Sequence, residues 1–126
     1  MKPDVATILF FHTVSIQEYG GSEGVRDPEA LEAAVARPWS ASFGREHFPT
    51  AYEKTAALAE SIIRRHPFVD GNKRTGVSAG TYLLSTLGYE LTATNEELEE
   101  FAVSVATGAL ILAEMARWFE DHSRET

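Results

Sequence analysis

Fifteen consecutive residues, 75–89, contain no Asp, Glu, Lys or Arg. The stretch is shorter than the roughly 20 apolar residues that span a bilayer, which favours a place in a protein core. From a start near Asn72 to a stop at Gly88, its large apolar side chains recur at helical spacing: Val77, Tyr82, Leu83, Leu84 and Leu87. A helix with few charges on any face is buried all round. The sequence therefore predicts a central helix that other elements cover.

The segments before this helix also have helical patterns. One face of a first helix, which ends at Gly20-Gly21, holds Val5, Ile8, Leu9, His12, Ile16 and Tyr19. Asp27 and Pro28 are typical of a helix start, and the second helix continues through Leu31 to Arg37 until Pro38 stops it. Thr50 with Glu53 forms a capping box that opens a third helix. Pro67 limits that helix to Arg65 or His66, and its inner face is Thr55, Leu58, Ala59, Ile62 and Ile63.

The remaining residues add two helices and little else. Thr94 with Glu97 is a further capping box, and Gly108 closes the helix that it opens. The final helix is predicted over Leu110 to about Asp121. No alternating segment is long enough for a convincing strand, although residues 89–91 could form one short extended piece. The predicted class is all-α, a compact bundle of about six helices.

Two features allow two interpretations each. Residues 38–49 lack a clear period and form either a loop or a short hairpin. Their aromatic side chains, Trp39, Phe43 and Phe48, either dock a partner or fold back onto one end of the core. His12 shares the apolar face of the first helix, so it is either a packed, hydrogen-bonded core histidine or a catalytic one.

Length and composition are those of one ordinary globular domain. The 126 residues are 44% hydrophobic and 24% charged, without repeats, linkers or blocks of like charge, so we expect a single domain over residues 1–126. Ile8 to Phe11 faintly imitates a signal peptide, but Asp4 lies in its basic region and no small-residue cleavage site follows. Met1 is therefore expected to belong to the mature domain.

The charge balance and the absence of cysteine exclude several functions. Lys and Arg number 11 against 19 Asp and Glu, a net charge of −8, which disfavours direct nucleic acid binding. With no cysteine, disulfide scaffolds, thiolate zinc sites and cysteine nucleophiles are excluded. A reducing compartment, the cytoplasm, is the expected location, with no membrane partner.

Chemistry-bearing residues concentrate in one run between two predicted helices. Residues 66–76 read His-Pro-Phe-Val-Asp-Gly-Asn-Lys-Arg-Thr-Gly. The unpaired N–H groups of a helix that begins at Gly71 and Asn72 can cradle phosphate oxygens. Lys73 and Arg74 stand in the first turn, where cations oppose the helix dipole unless an anion binds. The run therefore predicts a phosphate-binding site.

The two other functional side chains of this run have alternatives. Asp70 is either the N-cap of the helix, or the ligand of a hard divalent cation that bridges the phosphates, or both. His66 continues the inner stripe of Leu58 and Ile62, so we expect it to turn inward near the phosphate cradle. There it is either a structural histidine or a base that accepts a proton from an attacking hydroxyl.

Other site motifs fit this sequence poorly. The glycine spacings of the phosphate loop and of the dinucleotide fingerprint are absent. His12, His47, His66 and His122 are scattered, which disfavours a hydrolytic metal site built on histidines.

The eleven residues 66–76 resemble the signature of the Fic/Doc family, in which a His is followed by an aromatic, an acidic residue and Gly-Asn-Lys-Arg or Gly-Asn-Gly-Arg. Similarity to its short Doc, or death-on-curing, branch extends over the chain, through residues 19–21, 26–28, 31–38 and 88–91. Gly76 departs from the alanine that is common in this branch, at a helix cost of about 1 kcal/mol, and a close packing contact would explain it.

The resemblance implies the Fic fold and an ATP-dependent reaction. Fic enzymes transfer AMP to a hydroxyl and have a glycine at the position of Lys73. In Doc toxins, a lysine at this position accompanies transfer of the γ-phosphate. The resemblance thus implies a kinase that uses ATP and Mg²⁺. His66 would be the general base, Asp70 the Mg²⁺ ligand and Phe68 the anchor of the loop, while Gly71, Asn72, Lys73 and Arg74 would hold the phosphates.

The resemblance also implies a biological setting. The target would be a threonine of elongation factor Tu, whose phosphorylation arrests translation, and a cognate antitoxin would cover the active-site groove. The inhibitory Ser/Thr-x-x-x-Glu-Gly/Asn motif of many Fic proteins is absent, because Tyr19 precedes Glu23-Gly24. The alternatives are a Fic-type AMP transferase and a catalytically silent antitoxin-binding domain.

Overall fold

The computed structural model describes residues 2–126, so the expectation for Met1 lies outside the described residues. Within that range the chain forms six α-helices: α1 Val5–Tyr19, α2 Pro28–Ala36, α3 Ala51–Arg65, α4 Asn72–Thr86, α5 Asn95–Ala106 and α6 Leu112–Asp121. Four short strands form two antiparallel pairs, β1 Ala41–Ser42 with β2 Arg45–Glu46 and β3 Tyr89–Leu91 with β4 Ser123–Glu125. The predicted all-α class with about six helices is confirmed.

Helices α3 and α4 lie at the centre, with α1 and α2 on one side and α5 and α6 on the other. The first buried cluster has residues from each of the helices α1, α2, α3 and α4 and from the turn before α4: Ile8, Leu31, Ala34, Leu58, Ile62, Phe68, Ala79 and Leu83. The second cluster joins α3 to α6 and contains Ala56, Ala59, Ile63, Leu84, Phe101, Ala102, Val105, Met115, Ala116 and Phe119. All five residues predicted for the inner face of α3 are fully buried. Both clusters contain residues of α3 and of α4, so they pack these two helices against each other.

The central position of α4 is confirmed, but its burial on every side is not. Lys73, Arg74 and Ser85 are exposed and Tyr82 is half-buried, so the helix has a solvent-facing side. The charges of this side lie in the first turn, and beyond it the exposed side chains are uncharged. Gly76 lies on the opposite side, against α3. A Cβ atom there would be 2.6 Å from Ile63 Cγ1 and 3.2 Å from the Ala59 carbonyl oxygen. The glycine therefore permits the close helix contact that was expected of it.

Several boundaries differ from the predictions. Helix α2 ends at Ala36, one residue early, and Pro38 lies in a 3₁₀ turn, Arg37–Trp39. Helix α6 begins at Leu112 rather than Leu110, because Ile111 has an extended conformation and its N–H donates to Glu114 Oε1 at 2.9 Å. The extended piece at residues 89–91 is confirmed as β3, but its partner β4 was not predicted. None of the helices in residues 2–126 is both long and apolar enough to cross a bilayer.

Residues 38–49 contain a hairpin, β1 and β2, rather than a loop. Phe48 is half-buried, under the Arg37 guanidinium at 5.2 Å, and Trp39 packs against the first cluster. Lys54 of α3 donates to Glu46 at 2.9 Å and to the Phe48 carbonyl oxygen, which fastens the hairpin to the bundle. Phe43 is fully exposed at the tip. Two of the three aromatic residues thus fold back, and the third is available to a partner.

Candidate active site

The site begins where α3 ends. His66 caps α3 in a left-handed conformation, with φ 51° and ψ 60°, because the following proline excludes further helix. This turn leads the chain away from the helix axis, so His66 is exposed. The expectation that His66 continues the inner stripe and turns inward is therefore wrong. The Arg26 side chain secures the turn, since its Nε donates to the His66 carbonyl oxygen and its Nη2 to the Arg65 carbonyl oxygen, both at 2.7 Å.

Asn72 organises the interior of the turn between α3 and α4. Its buried amide closes a ring with Phe68, accepting from the Phe68 N–H and donating to the Phe68 carbonyl oxygen, both at 3.0 Å. The Phe68 N–H fixes which end of the amide is oxygen, so Nδ2 is the atom that lies 3.3 Å from His66 Nδ1. This is a long contact, which guides the imidazole without locking it. His66 Nε2 makes no hydrogen bond within residues 2–126.

Asp70 is not the N-cap of α4. The N-cap is Gly71, whose φ of 77° and ψ of 16° are left-handed, and it supplies no side-chain hydrogen bond. The Asp70 carboxylate is held instead by two backbone donors, Gly71 N–H to Oδ1 at 2.9 Å and Ser22 N–H to Oδ2 at 3.2 Å. The N-cap alternative is therefore wrong. The carboxylate keeps free lone pairs on both oxygens and lies at the surface beside the helix start.

The first turn of α4 is positively charged and contains no acidic residue. Lys73 and Arg74 are exposed, and neither forms an ion pair in the part of the chain that the structure describes. The Arg74 guanidinium stacks on the Tyr19 ring of α1 at 4.0 Å, which holds it near the helix start. Backbone N–H groups of a first turn have no partner within their own helix. Donors and cations thus converge there, as an anion site requires.

A Gly-rich segment, residues 19–26, holds the turn from the outside. Its glycines predict only a turn. Val25 pairs with Phe68 as an isolated β-bridge, in which Val69 N–H donates to the Gly24 carbonyl oxygen at 3.0 Å. A Cβ atom at Gly21 would lie 2.7 Å from Asp70 Oδ2. The segment therefore needs glycine to approach Asp70 closely, and periodicity could not reveal this pairing across the chain.

His12 contacts the same turn from the core side. It is buried and hydrogen-bonded, as the core alternative predicts, but its partner is the Asp70 carbonyl oxygen, 2.8 Å from Nε2. Within residues 2–126 there is no group of three His, Asp or Glu side chains that could hold a metal ion by itself. At this site a metal ion would have to share Asp70 with oxygen atoms from a ligand or from water.

The chain belongs to the Fic/DOC family, whose sequence profile matches residues 2–84. This range includes α1 to α3 and most of α4, and so the whole of the turn described above. A mostly helical fold with a functional loop between two central helices is therefore shared with the family.

Two curated relatives fit this assignment. The chain is 44% identical over 75 residues to "Toxin Doc" of Mycolicibacterium smegmatis, a match that covers 60% of the chain and 58% of that toxin. It is 29% identical over 109 residues to "Protein kinase doc" of Escherichia phage P1, which covers 86% of the chain and 85% of the relative. The first match thus spans less than two thirds of the relative's length.

Proposed function

We propose that this protein is a Doc-type protein kinase, which transfers the γ-phosphate of ATP to a hydroxyl group of a target protein. The observation that carries the proposal is the start of α4, which has no side-chain cap and has two cations, Lys73 and Arg74, that form no ion pair within residues 2–126. Asp70 and His66 lie in the turn that leads into this helix. Phosphoryl transfer needs mainly positioning and charge stabilisation, which such a group of residues supplies. The name of the phage P1 relative supports the same activity.

The phosphates would bind at the first turn of α4. The backbone N–H groups of Asn72, Lys73 and Arg74, which have no helical partner, would donate to phosphate oxygens, and Lys73 and Arg74 would balance their charge. The Gly71 N–H would join them by leaving Asp70 Oδ1, to which it donates at 2.9 Å. Lys73 fills the position that is glycine in AMP-transferring relatives. By resemblance, this favours a nucleotide orientation with the γ-phosphate toward the target hydroxyl.

Asp70 would hold Mg²⁺ together with the phosphates. The fit rests on its geometry, because the carboxylate is fixed by two backbone N–H groups and still has free lone pairs. Mg²⁺ is usually bound by one or two carboxylates, phosphate oxygens and water, so a single carboxylate suffices. When bound, the cation would neutralise charge on the transferred phosphate.

His66 would be the general base. Its Nε2 makes no hydrogen bond within residues 2–126 and the side chain is exposed, so a target hydroxyl could reach it. Transfer requires the neutral imidazole with its proton on Nδ1. The contact from Asn72 Nδ2 makes Nδ1 an acceptor and so favours the neutral form with its proton on Nε2. At 3.3 Å this contact is long, and the ring gives it up when Nε2 accepts the hydroxyl proton. The hydroxyl proton moves to Nε2, the hydroxyl oxygen forms a bond to the γ-phosphorus, the bond from phosphorus to the β–γ bridging oxygen breaks, and ADP leaves.

The proposed setting is a toxin–antitoxin module. The target is a threonine of elongation factor Tu, so that phosphorylation arrests translation in the cytoplasm, and a separate antitoxin covers the active-site groove. The name of the Mycolicibacterium smegmatis relative supports the toxin assignment. The exposed Phe43 at the hairpin tip would serve as an apolar contact for a protein partner.

The test uses ATP labelled at either the α- or the γ-phosphate, incubated with the protein, Mg²⁺ and purified elongation factor Tu. Transfer of the γ-label alone, lost in His66→Ala, is the expected result. Transfer of the α-label would identify the second candidate, an AMP transferase, and would refute the kinase. If expression arrests growth equally with wild type and with the double variant His66→Ala, Lys73→Ala, the protein acts by binding alone.

A further inference from the structure

The side chain of His12 in α1 meets the active-site turn with two parts of its ring at once. The ring is stacked on Phe68, with centroids 3.9 Å apart and an angle of 5° between the planes. Its Nε2 lies 2.8 Å from the Asp70 carbonyl oxygen, and a carbonyl oxygen can only accept, so Nε2 carries the proton. A packed side chain thus binds the backbone of the residue whose carboxylate faces solvent.

Gly71 places the same ring directly beneath the N-cap of α4. A Cβ atom at Gly71 would lie 3.6 Å from His12 Cδ2 and 3.7 Å from Nε2, which is ordinary van der Waals contact. The imidazole therefore contacts two parts of one turn, the Phe68 ring and the Asp70 carbonyl group, and lies where a side chain at Gly71 would point. Of the two buried polar side chains of α1, His12 and Ser15, only His12 forms a hydrogen bond to the turn within residues 2–126.

We propose that His12 is a positioning residue, which orients the Asp70–Gly71 peptide and thereby the Asp70 carboxylate and the Gly71 N–H. The peptide needs this support because Gly71 is left-handed and lacks a side-chain cap, so α4 itself does not determine its direction. The consequence for catalysis rests on the kinase function proposed above. The effect of His12 on the order of the turn is independent of that proposed function.

Two substitutions separate positioning from simple filling of the core. His12→Phe keeps an aromatic ring to stack on Phe68 but removes the donor. His12→Gln keeps an amide N–H at about the position of Nε2 but removes the ring. If His12 only fills space, the Phe variant resembles wild type and the Gln variant is worse. If it positions the peptide, the order is reversed.

The first readout is amide hydrogen exchange of Phe68, Val69 and Gly71, measured without nucleotide. We expect exchange to rise about tenfold in His12→Phe, the effect of one lost hydrogen bond, and by less in His12→Gln. Val105→Ala, which leaves a cavity in the second cluster, is the control for lost stability and should not affect these three amides selectively. Unchanged exchange in His12→Phe, or faster exchange in His12→Gln than in His12→Phe, overturns the proposal.

The second readout is phosphate transfer. We expect kcat to fall about tenfold in His12→Phe and to recover partly in His12→Gln, with an unchanged KM for the target protein. A wild-type protein that transfers no phosphate would refute the proposed function, while the exchange experiment would still decide the role of His12. A normal kcat in His12→Phe, with active wild type, would overturn the positioning role in catalysis.

Discussion

The starts of α4 and α5 solve the same physical problem in opposite ways. Helix α5 begins with a complete capping box, in which Glu97 N–H donates to Thr94 Oγ1 at 3.2 Å and Thr94 N–H donates to Glu97 Oε1 at 2.9 Å. Its first turn is acidic, with Glu96 and Glu97. Helix α4 begins with a left-handed glycine, no side-chain cap and no acidic residue. At the start of α5, side chains of the helix itself accept from backbone N–H groups and balance the dipole. At the start of α4, no side chain of the helix does so.

The difference separates stability from function. Acidic residues and side-chain caps at a helix start each stabilise by a fraction of a kcal/mol to about 1 kcal/mol, and α5 has both. Helix α4 lacks both and relies on distant residues for its geometry, because segment 19–26 and His12 hold the turn in front of it. Unsatisfied donors held rigidly are what an anionic ligand needs. The α4 start thus lacks stabilising contacts that a bound phosphate would supply.

The largest predicted effect comes from making the α4 start resemble that of α5. Lys73→Glu should weaken ATP binding about 100-fold, because it places a negative charge at the proposed phosphate site. It should also raise the free energy of unfolding without nucleotide by about 0.5 kcal/mol, since the new charge suits the helix dipole. Calorimetric titration and chemical unfolding measure the two effects. A variant that loses stability together with binding would contradict this account.

Glu96→Lys on α5 is the matched control for that substitution. It should lower stability by about 0.5 kcal/mol, because a cation opposes the helix dipole, and leave ATP binding unchanged, because Glu96 lies outside the proposed phosphate site. Opposite signs of the stability change at the two helix starts would confirm that the charges of the α5 start stabilise the helix, whereas those of the α4 start do not.

A second prediction compares two glycines with similar φ. Gly71→Ala and Gly108→Ala, at φ 77° and 80°, should each destabilise by about 1 kcal/mol through the left-handed backbone. A new Cβ atom at Gly71 would also lie 3.3 Å from Ile16 Cδ1, whereas Gly108 has nothing within 4 Å. Only Gly71→Ala should therefore weaken ATP binding, by about tenfold. Equal binding by the two variants would show that the turn tolerates distortion.

The α5 start was predictable from sequence, and much of the α4 start was not. Thr94 and Glu97 are three residues apart, so their mutual capping is a local property, and the prediction is confirmed. The residue types of the run 66–76 predict an anion site, and this site stays a prediction. The prediction that His66 turns inward was wrong, because His66 has a left-handed conformation at the end of α3 and so does not follow the helical periodicity. The contacts of Ser22, Arg26 and His12 join residues about 40 to 60 apart, which local patterns do not encode.

A third prediction tests the capping box alone. Thr94→Ala should cost about 1 kcal/mol of unfolding free energy, because the Glu97 N–H loses its acceptor. ATP binding and phosphate transfer should remain at the wild-type level, since Thr94 follows β3, which comes after the C-terminal end of α4 rather than its start. Urea unfolding and the labelled-ATP assay check both statements. Loss of activity in a variant that is still fully folded would mean that the two helix starts are coupled.

The smallest effect concerns pH. Hydrogen bonds from the Thr94 backbone and side chain lower the pKa of Glu97 below its ordinary value of 4.5, and His122, whose Nε2 is 3.2 Å from the carboxylate, lowers that pKa further. Because the folded-state pKa is the lower one, this stabilisation is present above pH 4.5 and is lost as pH falls through the folded-state pKa. Glu97→Gln should therefore flatten the stability profile below pH 4.5 while reducing stability at neutral pH. Urea unfolding from pH 3 to 7 measures this, and an unchanged slope would show that the α5 start does not depend on the charge of Glu97.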